Sequence, residues 1–253
     1  MVSVPVLLYH CIAPNREITP AGFERQLEYL SCNGYRTVPL QNFRKFLNGD
    51  MSLPARTVLI TFDDGYADNW ICAYPLLKRY GFTASVFVTT GRVINAPARK
   101  TISEGGQPPP FTGQHAGAFL SWEELRRMAE SGVFEIGSHT RTHNDFNKHK
   151  SWPDMPAELV DSANEIFEKT GNRPDTLSWP WGYSTPELAK CALDVGYKMA
   201  FAAKPGSNTP RTDKFFVRRF TVRMGDVNWL ARRLWLYSHP LLASAYGSMY
   251  RIV

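Results

Sequence analysis

The stretch TVLITFDDG at residues 57–65 decides how the chain folds and where its polar residues gather. Its first six residues are mostly apolar or β-branched, a pattern that predicts a buried strand. The strand runs directly into Asp63 and Asp64, and adjacent residues at a strand end point in different directions. The two carboxylates can therefore serve two different roles. Because Asp-Asp-Gly is also a common turn sequence, the stretch indicates a site only if other polar residues reach the same place.

Six other apolar runs resemble this strand, and helical patterns separate most of them. They lie at residues 4–10, 82–90, 133–137, 176–179, 197–202 and 215–222. Between them, Ser121 and Glu124 form the capping box of one helix, and Pro186 opens another behind Thr185. Strands that alternate with helices in this way are typical of parallel sheets with crossover connections. We therefore predict an α/β fold in one domain spanning residues 1–253, as a barrel rather than an open sheet.

Two regions do not follow this alternation of strands and helices. Residues 92–119 are rich in glycine and proline, and a loop of this length is either a lid or binding loop or has no function. Residues 228–253 mix tryptophan and leucine with arginine, which predicts an amphipathic segment. Such a segment either packs against the barrel with its arginines in water or lies on an anionic membrane, and the first arrangement is the commoner.

Composition narrows the partners and the compartment without fixing either. The 29 Lys and Arg residues exceed the 23 Asp and Glu residues, and the net charge of +6 suits an anionic partner such as a phosphorylated lipid or a membrane surface. No nucleic-acid-binding motif accompanies this charge, so we expect no nucleic acid partner. The four cysteines are scattered, and residues 2–9 resemble a strand rather than a secretion signal. We expect a cytoplasmic protein, peripheral at the inner membrane face, or an exported one if a signal peptide has been trimmed from the sequence.

The stretch GSHTRTH at residues 137–143 also follows an apolar run. Its two imidazoles, His139 and His143, are four residues apart and can converge on one ion from a single helical turn. Surface histidines with that spacing are frequent, so this motif alone indicates little. However, the carboxyl ends of parallel barrel strands share one face, which brings both motifs together. One carboxylate and two histidines make the three-ligand set of a catalytic zinc.

Two more segments end strands and are expected at the same rim. His10 closes the run at residues 4–10, and SWPWG at residues 178–182 closes the run at 176–179. A single histidine at a strand end more often packs in the core, and so do tryptophans beside proline. The placement of four segments on one rim outweighs these separate structural explanations.

Three motifs give the chain a resemblance to a known family. TFDDG at 61–65, HTRTH at 139–143 and WPWGY at 179–183 resemble motifs of the NodB-like polysaccharide deacetylases of carbohydrate esterase family 4. The resemblance spans most of the chain. WEELRRMAESG at 122–132 and GYKMAF at 196–201 make it closest to the branch typified by periplasmic poly-N-acetylglucosamine deacetylases. The fold it implies is a distorted (β/α) barrel of about seven strands.

The resemblance also implies a role for each site residue. Asp63 is the general base, His10 is the acid, and Trp181 contributes its backbone N–H to the oxyanion site. The cofactor is a divalent metal, zinc first and cobalt, nickel, manganese or iron as alternatives. Its implied ligands are Asp64, His139 and His143.

The chain departs from the family pattern in three places. Trp181 stands where tyrosine is usual, which changes the wall of the groove. Ser178 replaces the arginine that many members use to orient the base, so we expect Arg219 to do this from another strand. The usual late leucine-x-histidine motif is not evident, which leaves the acid on His10.

Together these expectations define a metal-dependent hydrolase that removes an N-acetyl group from an amino sugar, in a glycan or a lipid-linked saccharide. Two alternatives stay open. The chain could be a catalytically silent glycan-binding module of the same fold, which a test for acetate release would reveal. It could also be a non-haem iron enzyme, because two histidines and one carboxylate form the facial triad of those oxygenases. Activity with zinc in the absence of oxygen would exclude that second alternative.

Overall fold

The computed structural model describes residues 2–108, 116–148 and 154–249 and places eight parallel strands among them. They are β1 (Val6–Tyr9), β2 (Arg36–Thr37), β3 (Thr57–Phe62), β4 (Ala84–Val88), β5 (Phe134–Ser138), β6 (Thr176–Ser178), β7 (Met199–Phe201) and β8 (Phe220–Thr221). Seven form one sheet in the order β7-β6-β5-β4-β3-β1-β8, and the short β2 pairs with the start of β3. Six of the seven lie within runs predicted from sequence, and β5 extends one residue beyond the run at 133–137.

The sheet curls until its two edges approach each other. Phe201 of β7 forms a parallel bridge with Val217, and the Ala202 N–H donates to the Val217 carbonyl over 2.9 Å. Val217 lies three residues before β8, which is the other edge strand. The seam between the edges is therefore a short irregular contact rather than a full ladder. The predicted distorted (β/α) barrel is confirmed.

Eight α-helices cover or close this sheet in the described part of the chain. They are α1 (Pro20–Cys32), α2 (Leu40–Asn48), α3 (Tyr74–Tyr80), α4 (Trp122–Glu130), α5 (Met155–Thr170), α6 (Pro186–Asp194), α7 (Val227–Tyr237) and α8 (Pro240–Met249). The capping box of α4 forms as predicted, with the Glu124 N–H donating to Ser121 Oγ over 3.2 Å and the Ser121 N–H to Glu124 over 2.8 Å. Thr185 caps α6 with its side chain, which accepts the Leu188 N–H over 3.3 Å.

The strand β3 is buried on both of its faces. Its side chains alternate between these faces, and this alternation sets the direction of the residues that follow the strand. Val58, Ile60 and Phe62 pack into a core shared with α1 and α3. Leu59 points the other way, into a second core shared with the phenylalanines of α2. Because side chains alternate along a strand, Asp63 continues the face of Leu59 rather than the face of Phe62. The first carboxylate after the strand thus starts inside the barrel.

The described ends of the 92–119 segment are held firmly against the body of the protein. Arg99 donates to Glu124 with Nε over 2.7 Å and with Nη2 over 2.6 Å, and the Glu124 side chain is fully buried. The Ile94 N–H donates to the Leu120 carbonyl over 3.0 Å, and Trp70 Nε1 donates to the Arg99 carbonyl over 2.7 Å. Residues 109–115 of the predicted loop lie outside the described residues.

In the predicted amphipathic segment at 228–253, α7 buries one face and exposes the other. Leu230 and Leu234 are fully buried in the main core, whereas Trp235 is 57% exposed. This is the packed arrangement that the sequence favoured, although the exposed face leaves membrane contact as a prediction. None of the helices described here combines the length and the apolar character needed to cross a bilayer. Residues 250–253 of the segment lie outside the described residues.

Candidate metal centre

Two successive left-handed residues separate the directions of the adjacent carboxylates after β3. Asp64 has φ +73° and Gly65 has φ +76°, a region that aspartate tolerates better than most residues and that glycine adopts freely. A Cβ on Gly65 would also lie only 3.0 Å from Val88 of the neighbouring strand. The chain therefore turns sharply, and Asp64 leaves the inward face that Asp63 occupies.

The two histidines converge from an irregular loop rather than from a helical turn, so the predicted helical turn is wrong. Thr140 and His143 both have positive φ, +63° and +61°. The exit of β4 holds this loop, because the Gly91 N–H donates to the Arg141 carbonyl over 2.9 Å. The α5 residue Glu158 also accepts the Arg141 and Thr142 N–H groups, over 3.0 and 2.9 Å. These outside partners replace the intrahelical hydrogen bonds that a helical turn would make.

The structure brings together one ligand atom from each of Asp64, His139 and His143. The three atoms all lie within 4.8 Å of one another. His143 Nε2 is 3.1 Å from Asp64 Oδ1, and His139 Nε2 is 3.6 Å from the same oxygen. His139 Nδ1 lies 2.8 Å from the Ser178 carbonyl, which can only accept, so Nδ1 carries the proton and Nε2 presents its lone pair to the centre.

The residues of this centre fit a divalent metal. Asp64 Oδ1 is buried and makes no hydrogen bond, although His143 Nε2 lies 3.1 Å from it. A buried acceptor without a partner is costly and needs a further binding group. Two imidazole nitrogens and one carboxylate oxygen are a ligand set that zinc and similar ions take up. The guanidinium nitrogen Nη1 of Arg92 lies 3.9 Å from Asp64 Oδ1.

The protonation states also suit metal binding. Burial lowers the pKa of His139 to about 4, although the charges of Asp63 and Asp64 partly oppose this shift. Burial would raise the pKa of Asp64, but His143, His139 and His10 outweigh it and hold that pKa below its usual range. The centre therefore presents a neutral His139 imidazole and an ionised Asp64 carboxylate at neutral pH, the forms that bind metals.

Asp63 has the opposite environment, because protein donors satisfy both of its oxygens. Arg219 donates to Oδ1 from Nη1 and to Oδ2 from Nη2, each over 2.8 Å, and Ser178 Oγ donates to Oδ2 over 2.9 Å. The Arg219 side chain is completely buried, and its Nε donates to the Ala202 carbonyl over 3.0 Å. Burial would raise the pKa of Asp63, but Arg219 and then His139 hold it below its usual range.

His10 and Trp181 lie at the edges of this arrangement. His10 is partly exposed and follows Tyr9, which pairs with Phe62, so His10 and Asp63 leave neighbouring strands side by side. Trp181 has φ +59° and is 68% exposed. Its ring centroid lies 5.5 Å from that of His143, at an interplanar angle of 63°.

Several residues around the site were not singled out from the sequence. Arg92 begins the predicted loop at 92–119, and no sequence pattern marks Glu158. Asp68 and Asn69 sit just beyond the motif at 61–65 and are both buried. Two polar residues that lead into an apolar helical run are the signal that would have identified them, because buried polar groups need specific partners.

The fold and the centre together define a class: an α/β barrel with a candidate metal centre at the carboxyl ends of its strands, where such barrels place their active sites. A family model described as polysaccharide deacetylase matches residues 50–200. The chain belongs to the polysaccharide deacetylase family, as the resemblance of its motifs implied.

Named relatives and a solved structure agree with this assignment. The Bacillus subtilis (strain 168) protein YxkH, named for the same family, is 29% identical over 226 residues, which cover 88% of this chain and 72% of YxkH. The poly-beta-1,6-N-acetyl-D-glucosamine N-deacetylase of Staphylococcus aureus (strain MRSA252) is 23% identical, with 87% of this chain and 72% of that protein covered. The structure of IcaB from Ammonifex degensii superposes with a TM-score of 0.76 at 26% identity, covering 92% of this chain and 97% of that chain.

Proposed function

We propose that this chain is a metal-dependent N-deacetylase that hydrolyses the acetamide of an amino sugar in a glycan. The observation that carries the proposal is the contrast between the unpartnered Asp64 oxygen, which faces two imidazoles, and the fully bonded Asp63 beside it. A ligand set and an oriented carboxylate at one strand end are what metal-assisted hydrolysis requires. Membership of the polysaccharide deacetylase family supports the same reaction.

Within this proposal, Asp63 is the general base. Its position on the inward face keeps it off the three-atom metal centre, and Arg219 and Ser178 fix the plane of its carboxylate. Arg219 also keeps Asp63 ionised, so the carboxylate can accept a proton from the attacking water at neutral pH. A divalent ion held by Asp64, His139 and His143 would supply Lewis-acid chemistry, lowering the pKa of water and stabilising negative charge.

Two further residues take roles from their placement. Trp181 adopts a left-handed conformation that is strained for a large aromatic residue, and such strain is typical of functional sites. We assign its backbone N–H to the oxyanion that develops on the acetyl oxygen, a contact typically worth about 2.7–4 kcal/mol. His10 is partly exposed at the end of the strand that pairs with β3, and we assign to it the proton that the leaving amine needs.

The proposed substrate is an acetylated amino-sugar glycan, free or lipid-linked. The relative from Staphylococcus aureus is named for poly-beta-1,6-N-acetyl-D-glucosamine, which supports this class. The exposed Trp181 ring offers a flat apolar surface beside the centre, and pyranose rings have apolar faces that pack on aromatic rings. This stacking surface would hold one sugar ring of the substrate next to the reacting acetamide.

Peripheral contact with an anionic membrane through residues 228–253 is a separate part of the proposal. Trp235 and Leu241 are 57% and 88% exposed, and Arg232 and Arg233 lie on the same helix as Trp235. We expect sedimentation with vesicles that contain phosphatidylglycerol and none with purely zwitterionic vesicles. Equal recovery in the supernatant with both vesicle types would remove this part while leaving the proposed reaction untouched.

Acetate release measured together with bound metal tests the proposed reaction. Purified protein is stripped with a chelator, reloaded with zinc and offered acetylated β-1,6-linked glucosamine oligomers under anaerobic conditions. We expect acetate release that depends on the added metal. Binding of the oligomers without any acetate release would instead identify a silent glycan-binding module, and a requirement for oxygen would identify an iron enzyme.

A further inference from the structure

Asp68 and Asn69 form a buried polar pair next to the site. Asp68 is 6% exposed and Asn69 is completely buried, and they lie at the start of the short helical segment at Asn69–Ala73. Neither residue contributes to the metal centre or to the bonding of Asp63. Buried polar side chains are retained where their hydrogen bonds do specific work, so the partners of this pair indicate its role.

The pair binds the backbone on both sides of Cys11. Asn69 Nδ2 donates to the His10 carbonyl over 2.9 Å and to Asp68 Oδ1 over 2.9 Å. The backbone N–H of Ile12 in turn stabilises the ionised Asp68 carboxylate and lowers its pKa. The chain from residue 10 to residue 12 is thus attached at two points to one rigid pair of side chains.

This attachment matters because His10 begins an irregular segment. The chain leaves β1 at Tyr9 and enters α1 only at Pro20, so no strand or helix fixes residues 10–12. A side chain on such a segment is only as well placed as the backbone that carries it, and a displacement of 1 Å at a catalytic group can cost up to about a hundredfold in rate. The carbonyl of His10 itself is one of the two attachment points.

The surroundings of Asp68 make it a strong acceptor at high pH and a weaker one at low pH. Burial raises the pKa of Asp68 to about 7, while the Ile12 N–H, Arg16, Asn69 and Arg99 partly oppose the shift. Burial raises the pKa of the Cys11 and Cys72 thiols, and the negative charge of Asp68 raises both further. An ionised carboxylate accepts from Ile12 and Asn69 together, whereas a protonated one must present a hydroxyl to one side.

We propose that Asp68 and Asn69 are positioning residues for His10, which fix the backbone of residues 10–12 so that the imidazole faces Asp63 and Asp64. This rests on the proposed function, in which His10 protonates the leaving amine. Neither residue touches the substrate. Both act through the position of one imidazole, so their effect on turnover has to disappear when that imidazole is removed.

A double-mutant cycle on acetate release tests the proposal. We expect Asp68→Asn, which keeps the shape but replaces an acceptor by a donor, to lower kcat by about tenfold with KM and bound zinc near native values. In a His10→Ala background, the same substitution should change kcat by less than about twofold. Asp194→Asn removes an exposed carboxylate at the end of α6 and serves as the matched control, with no change expected. An equal loss in both backgrounds, or no loss in either, would overturn the positioning role.

Hydrogen exchange gives a readout that does not depend on activity. We expect the Ile12 amide to exchange at least about tenfold faster in Asp68→Asn than in the native protein, with the Asp63 amide, bonded to the Tyr9 carbonyl, unchanged. If Asp68→Asn fails to fold, Asn69→Ala is used in its place, because it removes only the bonds of Asn69. Hydrogen exchange is then measured at the amides of Gly65, Ile12 and Cys11. Native protein that releases no acetate would refute the proposed function alone. Unchanged exchange at Ile12 in a folded Asp68→Asn protein would refute the attachment.

Discussion

Asp63 and Asp64 are adjacent in sequence but have opposite surroundings. Three hydrogen bonds donated by Arg219 and Ser178 orient Asp63, whereas Asp64 keeps a buried oxygen that has no hydrogen bond and lies between two imidazoles. Burying a carboxylate is costly in both cases; donated hydrogen bonds compensate it at Asp63, whereas at Asp64 the nearby histidines do so without a hydrogen bond to Oδ1. This difference is what the proposed reaction requires, in which Asp64 binds a cation and Asp63 accepts a proton.

The backbone produces this difference. Asp63 continues the inward face of β3, where Arg219 reaches it from the segment that closes the barrel. Asp64 is left-handed, which turns it out of that row towards the loop that carries the histidines. A chain that stayed extended would point Asp64 into the apolar core of Phe62, where an ionised group has no partner.

Removing one imidazole from the metal centre is expected to have the largest effect. His139→Ala should abolish zinc binding and reduce acetate release on the order of 10³-fold or more, because one ligand and its lone pair are lost. Metal analysis and acetate release are measured on the same preparation. His239→Ala, an exposed histidine beyond α7, is the control and should keep both properties. Full activity of His139→Ala protein that contains no metal would contradict the metal-binding role of the centre.

Breaking the ion pair between Arg219 and Asp63 should mainly affect stability. Arg219→Gln leaves Asp63 buried with one hydroxyl donor, and the loss of one partner from a buried ion pair typically costs about 3–5 kcal/mol. The free energy of unfolding in urea measures this cost. Arg126→Gln, in an exposed pair on α4, should cost no more than about 1 kcal/mol. Equal costs for the two substitutions would mean that Asp63 does not depend on Arg219.

Trp181 tests whether the region next to the histidines binds sugar. Trp181→Ala should raise KM for an acetylated oligosaccharide by roughly threefold to tenfold, the equivalent of an aromatic contact of about 0.5–1.5 kcal/mol. Trp181→Tyr should restore most of this loss, and KM for a small acetyl ester should change little with either variant. If Trp181→Ala changed KM for the oligosaccharide and for the ester in the same proportion, Trp181 would act at the reaction centre rather than in sugar binding.

A further expected effect is a change in how stability depends on pH. The pKa of Asp68 is raised from its ordinary value of 3.8 to about 7, so between these values the folded protein holds a proton that the unfolded chain has lost. Stability from this group is therefore present at low pH and falls as pH rises through the window, by up to about 1.4 kcal/mol per pH unit. Asp68→Asn should flatten that slope in urea unfolding at pH 4.5, 5.5 and 6.5. Parallel pH curves for the two proteins would show that Asp68 is not protonated in the fold.

Much of this arrangement followed from the sequence, since it depended on local patterns. The apolar runs, the capping box at Ser121 and the doublet after residue 62 all report their structure within a few residues. The convergence of Asp64 with His139 and His143 followed from barrel topology, which brings the ends of parallel strands together.

Other features depended on tertiary contacts that no local pattern contains. The loop at 139–143 was expected to be helical, but Gly91 and Glu158 bind its backbone groups and impose positive φ on two residues. Gly91 itself is required because a Cβ there would lie 2.7 Å from the Arg141 carbonyl. The attachment of residues 10–12 to Asp68 and Asn69 also joins segments that lie 59 residues apart at His10 and Asn69, beyond any periodicity or capping signal.

The most direct test of separate functions for the two neighbouring carboxylates is a comparison of zinc affinity in Asp63→Asn and Asp64→Asn, measured by competition with a chromophoric chelator. We expect Asp63→Asn to bind one zinc ion within about tenfold of the native affinity, and Asp64→Asn to bind it at least about a hundredfold more weakly. Equal weakening in the two variants, or the reverse order, would contradict the account.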